Sequence, residues 1–112
     1  MRNMSFSMTT EQFMDGSKDV TRRFGWWFLK AGDRVQAVEK AMGLKKGEKM
    51  KVLGVIEIVS VTKEPLHLIS ADDCKREGFP HFTQCDFINF ILKAFKDKSQ
   101  DSIINRIEFK RV

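Results

Sequence analysis

The sequence predicts an α+β fold, a small mixed β-barrel or strongly curved sheet flanked by two or three helices, in a single domain over residues 1–112. Three observations carry this. Short strand patterns outnumber the helical ones. A chain of 112 residues can enclose one hydrophobic core but not two, and no linker or internal repeat divides it. An apolar content of 42% beside 31% charged residues is that of a folded domain rather than a disordered chain.

Met4, Phe6 and Met8 alternate with Ser5 and Ser7, the two-residue period of a strand with one buried face. Thr9-Thr10-Glu11-Gln12 has the form of a capping box, in which Thr9 accepts an amide hydrogen bond and Gln12 returns one. A helix of about two turns should follow. Phe13 and Met14 would face the core, and Gly16 suits the left-handed position that ends such a helix. Asp19 to Arg23 reads as a second strand. Phe24 to Leu29 is too aromatic for a plain loop and too short for a full helix, which leaves a turn or one helical turn. Ala31-Gly32-Asp33 is a turn signal ahead of a strand from Arg34 to Glu39.

Lys40 to Lys49 holds two glycines, four lysines and little to bury, the composition of a mobile basic loop between strands. Met50 to Thr62, rich in Val and Ile, is the strongest strand pattern. Its partly continuous apolar run fits a central strand covered on both faces, or one with a bulge near Gly54. Ser70-Ala71-Asp72-Asp73 starts a short helix that ends near Glu77-Gly78. Thr83 caps the one long helix, Gln84 to Lys96, where Phe87, Phe90, Ile91, Ala94 and Phe95 recur at helical spacing as a core-facing stripe. Ile103 to Val112 closes the chain, with Ile107 and Phe109 alternating with Arg106, Glu108 and Lys110 as in a strand with one wet face.

The net charge of +5 is unevenly placed: Lys18 to Lys51 holds ten Lys and Arg against Asp19, Asp33, Glu39 and Glu48. A basic half of this kind either forms a solvated lysine surface or meets a polyanion, nucleic acid being the commonest, through phosphate neutralisation. Cys74 and Cys85 are too few and too loosely spaced for a disulfide framework, and the N-terminus has no apolar signal-peptide core, which predicts a reducing, cytoplasmic setting. No apolar run approaches the length of a membrane span. His67, Cys74, His81 and Cys85 lack metal-ligand spacing, and Gly43 and Gly47 lack a phosphate-loop or dinucleotide context, so neither metal nor cofactor is expected.

Chemistry concentrates between Gly16 and Lys30, where Lys18, Thr21, Arg22, Arg23, Trp26 and Trp27 all fall. The series Gly16-x-Lys18-x-x-Thr21-x-Arg23, then Lys30-x-Gly32-Asp33, then Glu77-Gly78-Phe79 ahead of a helix, and a final Ile107-x-Phe109 strand resembles the ASCH domain, a small β-barrel family related to the PUA fold. The resemblance runs from Phe6 to Phe109. It implies a barrel with a cleft beside the Gly-x-Lys segment and a link to RNA or modified nucleosides. Some bacterial members are amidohydrolases that remove the acetyl group from acetylcytidine, with a Lys, a Thr and a Glu as the proposed catalytic set. Carried over by motif, these fall on Lys18, Thr21 and Glu77, with Arg23 as a matching site arginine. Other members look like ribonucleases or presumed RNA binders. The chain departs from the amidohydrolase pattern at Asp19, where that group has a second Thr, and in the aromatic stretch Phe24 to Leu29.

The same residues serve more than one chemistry. For binding of RNA or a modified nucleoside, Arg22 and Arg23 would hold phosphate while Trp26, Trp27 or Phe24 stacks on a base, at about 1 to 3 kcal/mol per base. For amide hydrolysis, Thr21 would be the nucleophile, a desolvated Lys18 the base, and Glu77 the proton donor to the leaving nitrogen. Arg22 and Arg23 would help by disfavouring a third positive charge, and Asp19 would oppose by pairing with Lys18. A ribonuclease acting through the basic face is a further alternative. Positions 18 and 21 have opposite strand parity, so to share a site Lys18 must lie in the turn after Gly16, or a bulge must intervene. Two adjacent tryptophans cannot both be buried on one strand face, and Phe24 and Phe28 are expected in the core.

Overall fold

In the computed structural model, which describes residues 1–112, five strands form one mixed sheet in the order β1-β3-β4-β5-β2. They are β1 Asn3–Ser5, β2 Val20–Arg23, β3 Arg34–Val38, β4 Val52–Pro65 and β5 Ile103–Arg111. Three α-helices accompany them, α1 Thr10–Met14, α2 Ala71–Arg76 and α3 Gln84–Ala94, with a single 3₁₀ turn at Leu66–Leu68. β1 runs parallel to β3, and every other neighbouring pair is antiparallel.

β4 is the central strand that its Val- and Ile-rich run suggests, and it is bulged twice. Ala37 lies opposite Gly54 and Val38 opposite Val52, so Leu53 is an extra residue beside Gly54, whose φ is 152°. Further on, Ile58 pairs with Phe109 and Ser60 with Glu108, which leaves Val59 unpaired. Bulges bend a strand and increase its twist. The sheet therefore curls, and its two edges, β1 and β2, approach one another.

They do not join. No hydrogen-bonded ladder connects β1 to β2, so the expected barrel is an open, curled sheet. Both edges are short, with three and four residues, and a side chain spans the gap where a ladder would run. The Arg23 guanidinium reaches from β2 to the Ser5 carbonyl on β1 and lies 5.1 Å from the centre of the Phe6 ring.

The inner face holds Met4, Phe6, Val35, Ile56, Ile58, Ile107 and Phe109, closed at one end by Phe13 of α1. Phe6, Phe13 and Phe109 meet with ring centroids 4.8 to 6.0 Å apart. A second cluster, Leu66, Ile69, Cys74, Phe87, Ile91 and Ile104, packs α2 and α3 against the other side of β5. The helix starts are encoded locally. Ser70 accepts the Asp73 amide at 3.0 Å, and Thr83 and Asp86 form a reciprocal capping box at 2.9 and 3.1 Å.

The structure corrects several expectations. Thr9 precedes α1 but makes no capping hydrogen bond, because its ψ of 31° is far from the extended backbone that aims an N-cap side chain at the first turn. Met8 is exposed, since β1 ends at Ser5 and the alternation with it. α1 is a five-residue helix that buries only Phe13, so Met14 is exposed as well. Phe28 lies on the surface beneath the Arg2 guanidinium, 4.5 Å away, and α3 stops at Ala94, leaving Ala94 and Phe95 exposed.

Gly78, just past α2, takes a φ of 99°, and a Cβ there would lie 2.8 and 2.9 Å from Cβ and Cγ of Gln12 in α1. Both atoms are close to the Gln12 backbone and have little room to give. Gly78→Ala should therefore destabilise the fold by about 1 to 3 kcal/mol, read as a lower urea midpoint at unchanged m-value.

Candidate functional site

A cavity of about 340 Å³ opens in the seam between the two sheet edges. Its walls come from the β1–α1 turn, from β2 with the residues on either side of it, from the end of α2, and from α3. Ser7, Met8 and Phe95 are the exposed residues of its lining. Lys18, Thr21, Arg22, Arg23 and Glu77 form the polar side. Phe24, Trp26, Phe79, Phe90 and Phe95 contribute aromatic lining to the same cavity.

Lys18 reaches the cavity from outside the strand. Its amide donates to the Gln12 carbonyl at 3.1 Å, and the Asp19 amide donates to the Arg76 carbonyl at 2.9 Å, so the chain is threaded between α1 and α2 before β2 begins at Val20. The parity conflict with Thr21 disappears because Lys18 lies in the turn after Gly16. Thr21 and Arg23 share the inner face of β2 with their cross-strand partners Ile107 and Asn105. The Thr21 hydroxyl accepts a hydrogen bond from Arg23 Nε at 3.0 Å.

Glu77 caps the end of α2 and is 3% exposed, and Lys18 is 5% exposed. Lys18 Nζ donates to both the Glu77 carbonyl and its Oε1, each at 2.8 Å. The other Glu77 oxygen faces Arg22 Nη1 at 3.5 Å. Arg22 Nη2 donates to Glu64 Oε1 at 2.8 Å and to Asp73 Oδ2 at 2.6 Å, and Arg106 holds Asp73 from the far side at 2.7 and 3.1 Å. Arg22 Nε is buried and has no hydrogen-bond partner.

This environment moves proton affinities. Burial pushes the Lys18 ammonium below its ordinary range, with the Glu77 charge acting in the opposite direction. Burial likewise takes Arg23 down to about 10, opposed by Glu77. Burial pushes the Asp73 carboxyl up, but the hydrogen bonds and charges of Arg106 and Arg22 outweigh it and hold it at about 2.

Six of the seven site residues named from the sequence line this cavity: Lys18, Thr21, Arg22, Arg23, Trp26 and Glu77. Trp27 does not. It is 44% exposed on the outer surface, with Lys63 Nζ 5.9 Å from its ring, while Trp26, at a φ of 57°, turns inward. Arg22 is not a surface phosphate contact, because its terminal nitrogens are committed to Glu64, Asp73 and Glu77. Asp19 pairs with Arg76 at 2.9 and 3.0 Å rather than with Lys18. Asp73, Glu64 and Arg106 belong to no motif, and no local pattern in the sequence singles them out. Phe90 and Phe95 are visible as helical periodicity; Phe90 packs against the second cluster and also lines the cavity, while Phe95 lines it and stays exposed. No group of three or more His, Cys, Asp or Glu side chains is placed to hold a metal ion, and no helix is long and apolar enough to cross a membrane.

No protein-family model matches the sequence, and no curated protein does. Solved structures match it well. An ASCH domain from Lactobacillus crispatus superimposes with a TM-score of 0.64 at 16% identity, over 98% of this chain and 78% of that one. A DUF984 protein from Enterococcus faecalis does so with a TM-score of 0.66 at 15% identity, over 95% of this chain and 71% of that one. The chain thus has an ASCH-like fold, as an α+β protein with a five-stranded mixed sheet and three α-helices.

The Asp73 carboxylate supplies a test of the network behind the cavity. Its folded-state value of about 2 lies below the ordinary aspartate value of 3.8, so its contribution is present above about pH 4 and is lost as pH falls toward 2. Unfolding free energy should drop by about 2 kcal/mol across that window from this group. Denaturant melts of the native chain and of Asp73→Asn at a series of pH values should converge at the acid end.

Proposed function

We propose that the cavity binds the base of a modified nucleoside, free or within RNA. The observation that carries this reading is the meeting of Lys18, Thr21, Arg23 and Glu77, from separate parts of the chain, in the lining of a single cavity that also holds Phe24, Trp26, Phe79 and Phe90. At about 340 Å³ the cavity is at the small end of the ~300 to 1,000 Å³ range of ligand sites, which suits one nucleoside-sized ligand. Lys18 and Arg23 offer donors, and Glu77 and the Thr21 oxygen offer acceptors, the mixture found on the edge of a pyrimidine. Trp26 and the phenylalanines of the lining provide flat surfaces for its face.

A second reading, hydrolysis of an acylated cytidine, is favoured by the 2.8 Å contact between Lys18 and Glu77. Moving one proton across it yields a carboxylic acid and an uncharged amine, the form of Lys18 that burial favours. Lys18 then takes the Thr21 proton as Oγ1 attacks the acyl carbonyl. The tetrahedral intermediate expels the cytosine amino group as Glu77 returns its proton to that nitrogen. Water afterwards adds to the Thr21 ester, Glu77 taking its proton, and as the acyl–Oγ1 bond breaks to release the carboxylic acid Lys18 returns the proton it gained to Thr21 Oγ1, which restores the starting pair. The hydrogen bond from Arg23 occupies one Thr21 lone pair and leaves its O–H free to donate.

Calorimetric titration with acetylcytidine, alongside chromatographic detection of cytidine, tests both readings. We expect binding that Lys18→Ala and Glu77→Gln each weaken at least about tenfold. No binding, or wild-type binding by Lys18→Ala, would sink the cavity reading. If cytidine is released, the rate should fall on the alkaline side at a pH below the ordinary lysine value of about 10.4, because the active pair must retain one proton and burial lowers the Lys18 value. An alkaline limb at the ordinary lysine position would remove Lys18 from the mechanism.

A further inference from the structure

The cations of this protein differ in how they are held, and exposed, unpaired lysines such as Lys63, Lys75, Lys93 and Lys96 are scattered over the surface. Of the cations at the cavity and behind it, Lys18 pairs with Glu77, Arg22 with Glu64, Asp73 and Glu77, Arg106 with Asp73, and Arg76 with Asp19 and Glu108, while Arg23 is held by the Thr21 hydroxyl and the Ser5 carbonyl. The segment between β3 and β4 is different. Lys40, Lys45, Lys46 and Lys49 are all exposed, and none has a carboxylate within ion-pair distance. Only Lys51, at the base of the segment, is paired, with Glu39 at 3.5 Å. Gly43 and Gly47, at φ of 72° and 84°, turn the backbone, and the Lys45 amide donates to the Glu48 carboxylate at 3.1 Å. Glu48 is thus held by backbone, and the lysine side chains around it stay in water.

The segment also starts beside the cavity. Parallel pairing of β1 with β3 sets Ser5 against Val38, the Phe6 amide donates to the Val38 carbonyl at 2.8 Å, and Ser5 Oγ donates to the Glu39 carbonyl at 3.1 Å. Ser5, Phe6, Ser7 and Met8 all line the cavity. The lysine segment and this part of the cavity lining therefore share one end of the sheet.

We propose that Lys40–Lys51 is an arm that holds the phosphate backbone of a single-stranded RNA, one nucleotide of which enters the cavity. This deepens the cavity reading and rests on it. The cavity holds one ligand unit, so unpaired lysines outside it have nothing to neutralise on a free nucleoside, whereas a strand places phosphates on either side of the bound unit. The strand must be single because a base inside a duplex cannot enter a closed pocket without being flipped out. Lysines on a glycine-bearing loop act as point charges and add affinity without reading sequence. Recognition of the base stays with the cavity.

The test uses a fluorescein-labelled single-stranded RNA of about ten nucleotides carrying one acetylcytidine, with anisotropy measured over a range of salt concentrations. The probe protein is the full chain, wild type and with Lys40→Gln, Lys45→Gln, Lys46→Gln and Lys49→Gln combined, its fold checked by circular dichroism. The wild type should bind the RNA more tightly than acetylcytidine alone. The variant should lose at least about tenfold in RNA affinity at low salt, and the slope of log affinity against log salt should become shallower by about 2 to 3, at about 0.7 for each phosphate no longer neutralised. Its binding of free acetylcytidine should not change. An unchanged slope in the variant, with acetylcytidine still bound, overturns the arm and leaves the cavity reading intact. Arm-dependent RNA binding by a chain that binds no acetylcytidine overturns the cavity reading, and with it the placement of a nucleotide there. Binding to anionic phosphatidylserine vesicles that the variant loses, without RNA binding, assigns the arm to a membrane surface and also overturns the proposal.

Discussion

One buried carboxylate holds the arrangement together. Glu77, at the end of α2, accepts from Lys18 in the turn before β2 and faces Arg22 on β2 itself, and Arg22 extends the contact to Glu64 on β4 and Asp73 on α2. Arg106 of β5 completes the set. Each of these charges costs several kcal/mol to remove from water, and the cost is offset only while all partners stay in place. The helix α2, the edge strand β2 and the centre of the sheet are therefore positioned as a unit. The polar side of the cavity is the surface of that unit.

The cavity exists because the sheet does not close. Two bulges curl β4, the short edges β1 and β2 come within side-chain reach, and Arg23 bridges them where a ladder would otherwise form. Full closure by backbone hydrogen bonds would remove the gap that the polar groups line. Structures with the same fold at 15% and 16% identity share the framework, and at that distance the chemistry has to be argued from this chain's own residues.

Charge is divided between interior and exterior on one physical ground. A buried guanidinium or ammonium persists only with partners, so Lys18, Arg22 and Arg106 are paired. A lysine in water needs none, and Lys40, Lys45, Lys46 and Lys49 of the β3–β4 segment have none. The two tryptophans are divided in a similar way. The positive φ at Trp26 turns the chain so that its ring faces the cavity, while Trp27 stays on the outer surface beside Lys63.

The features legible in the sequence were those encoded within a few residues. The strand pattern of β4, its bulge at Gly54, the caps at Ser70 and Thr83, and the stop at Gly78 depend on local period, hydrogen-bond reach and φ, so reading neighbours was enough. The motif from Gly16 to Arg23, with Glu77, likewise named most of the polar lining of the cavity. The capping box at Thr9 failed on a backbone angle that the sequence does not express. What only the tertiary structure decided depends on partners far along the chain: Lys18 meets Glu77 across 59 positions, and Arg22 meets Asp73 across 51. Those pairings made Arg22 a buried strut instead of a phosphate contact, and the same long-range folding left Phe95 exposed on a cavity wall instead of in the core. Periodicity states which side of an element is apolar. Whether that side meets packed side chains or an open seam is set by how the curled sheet brings its two edges together.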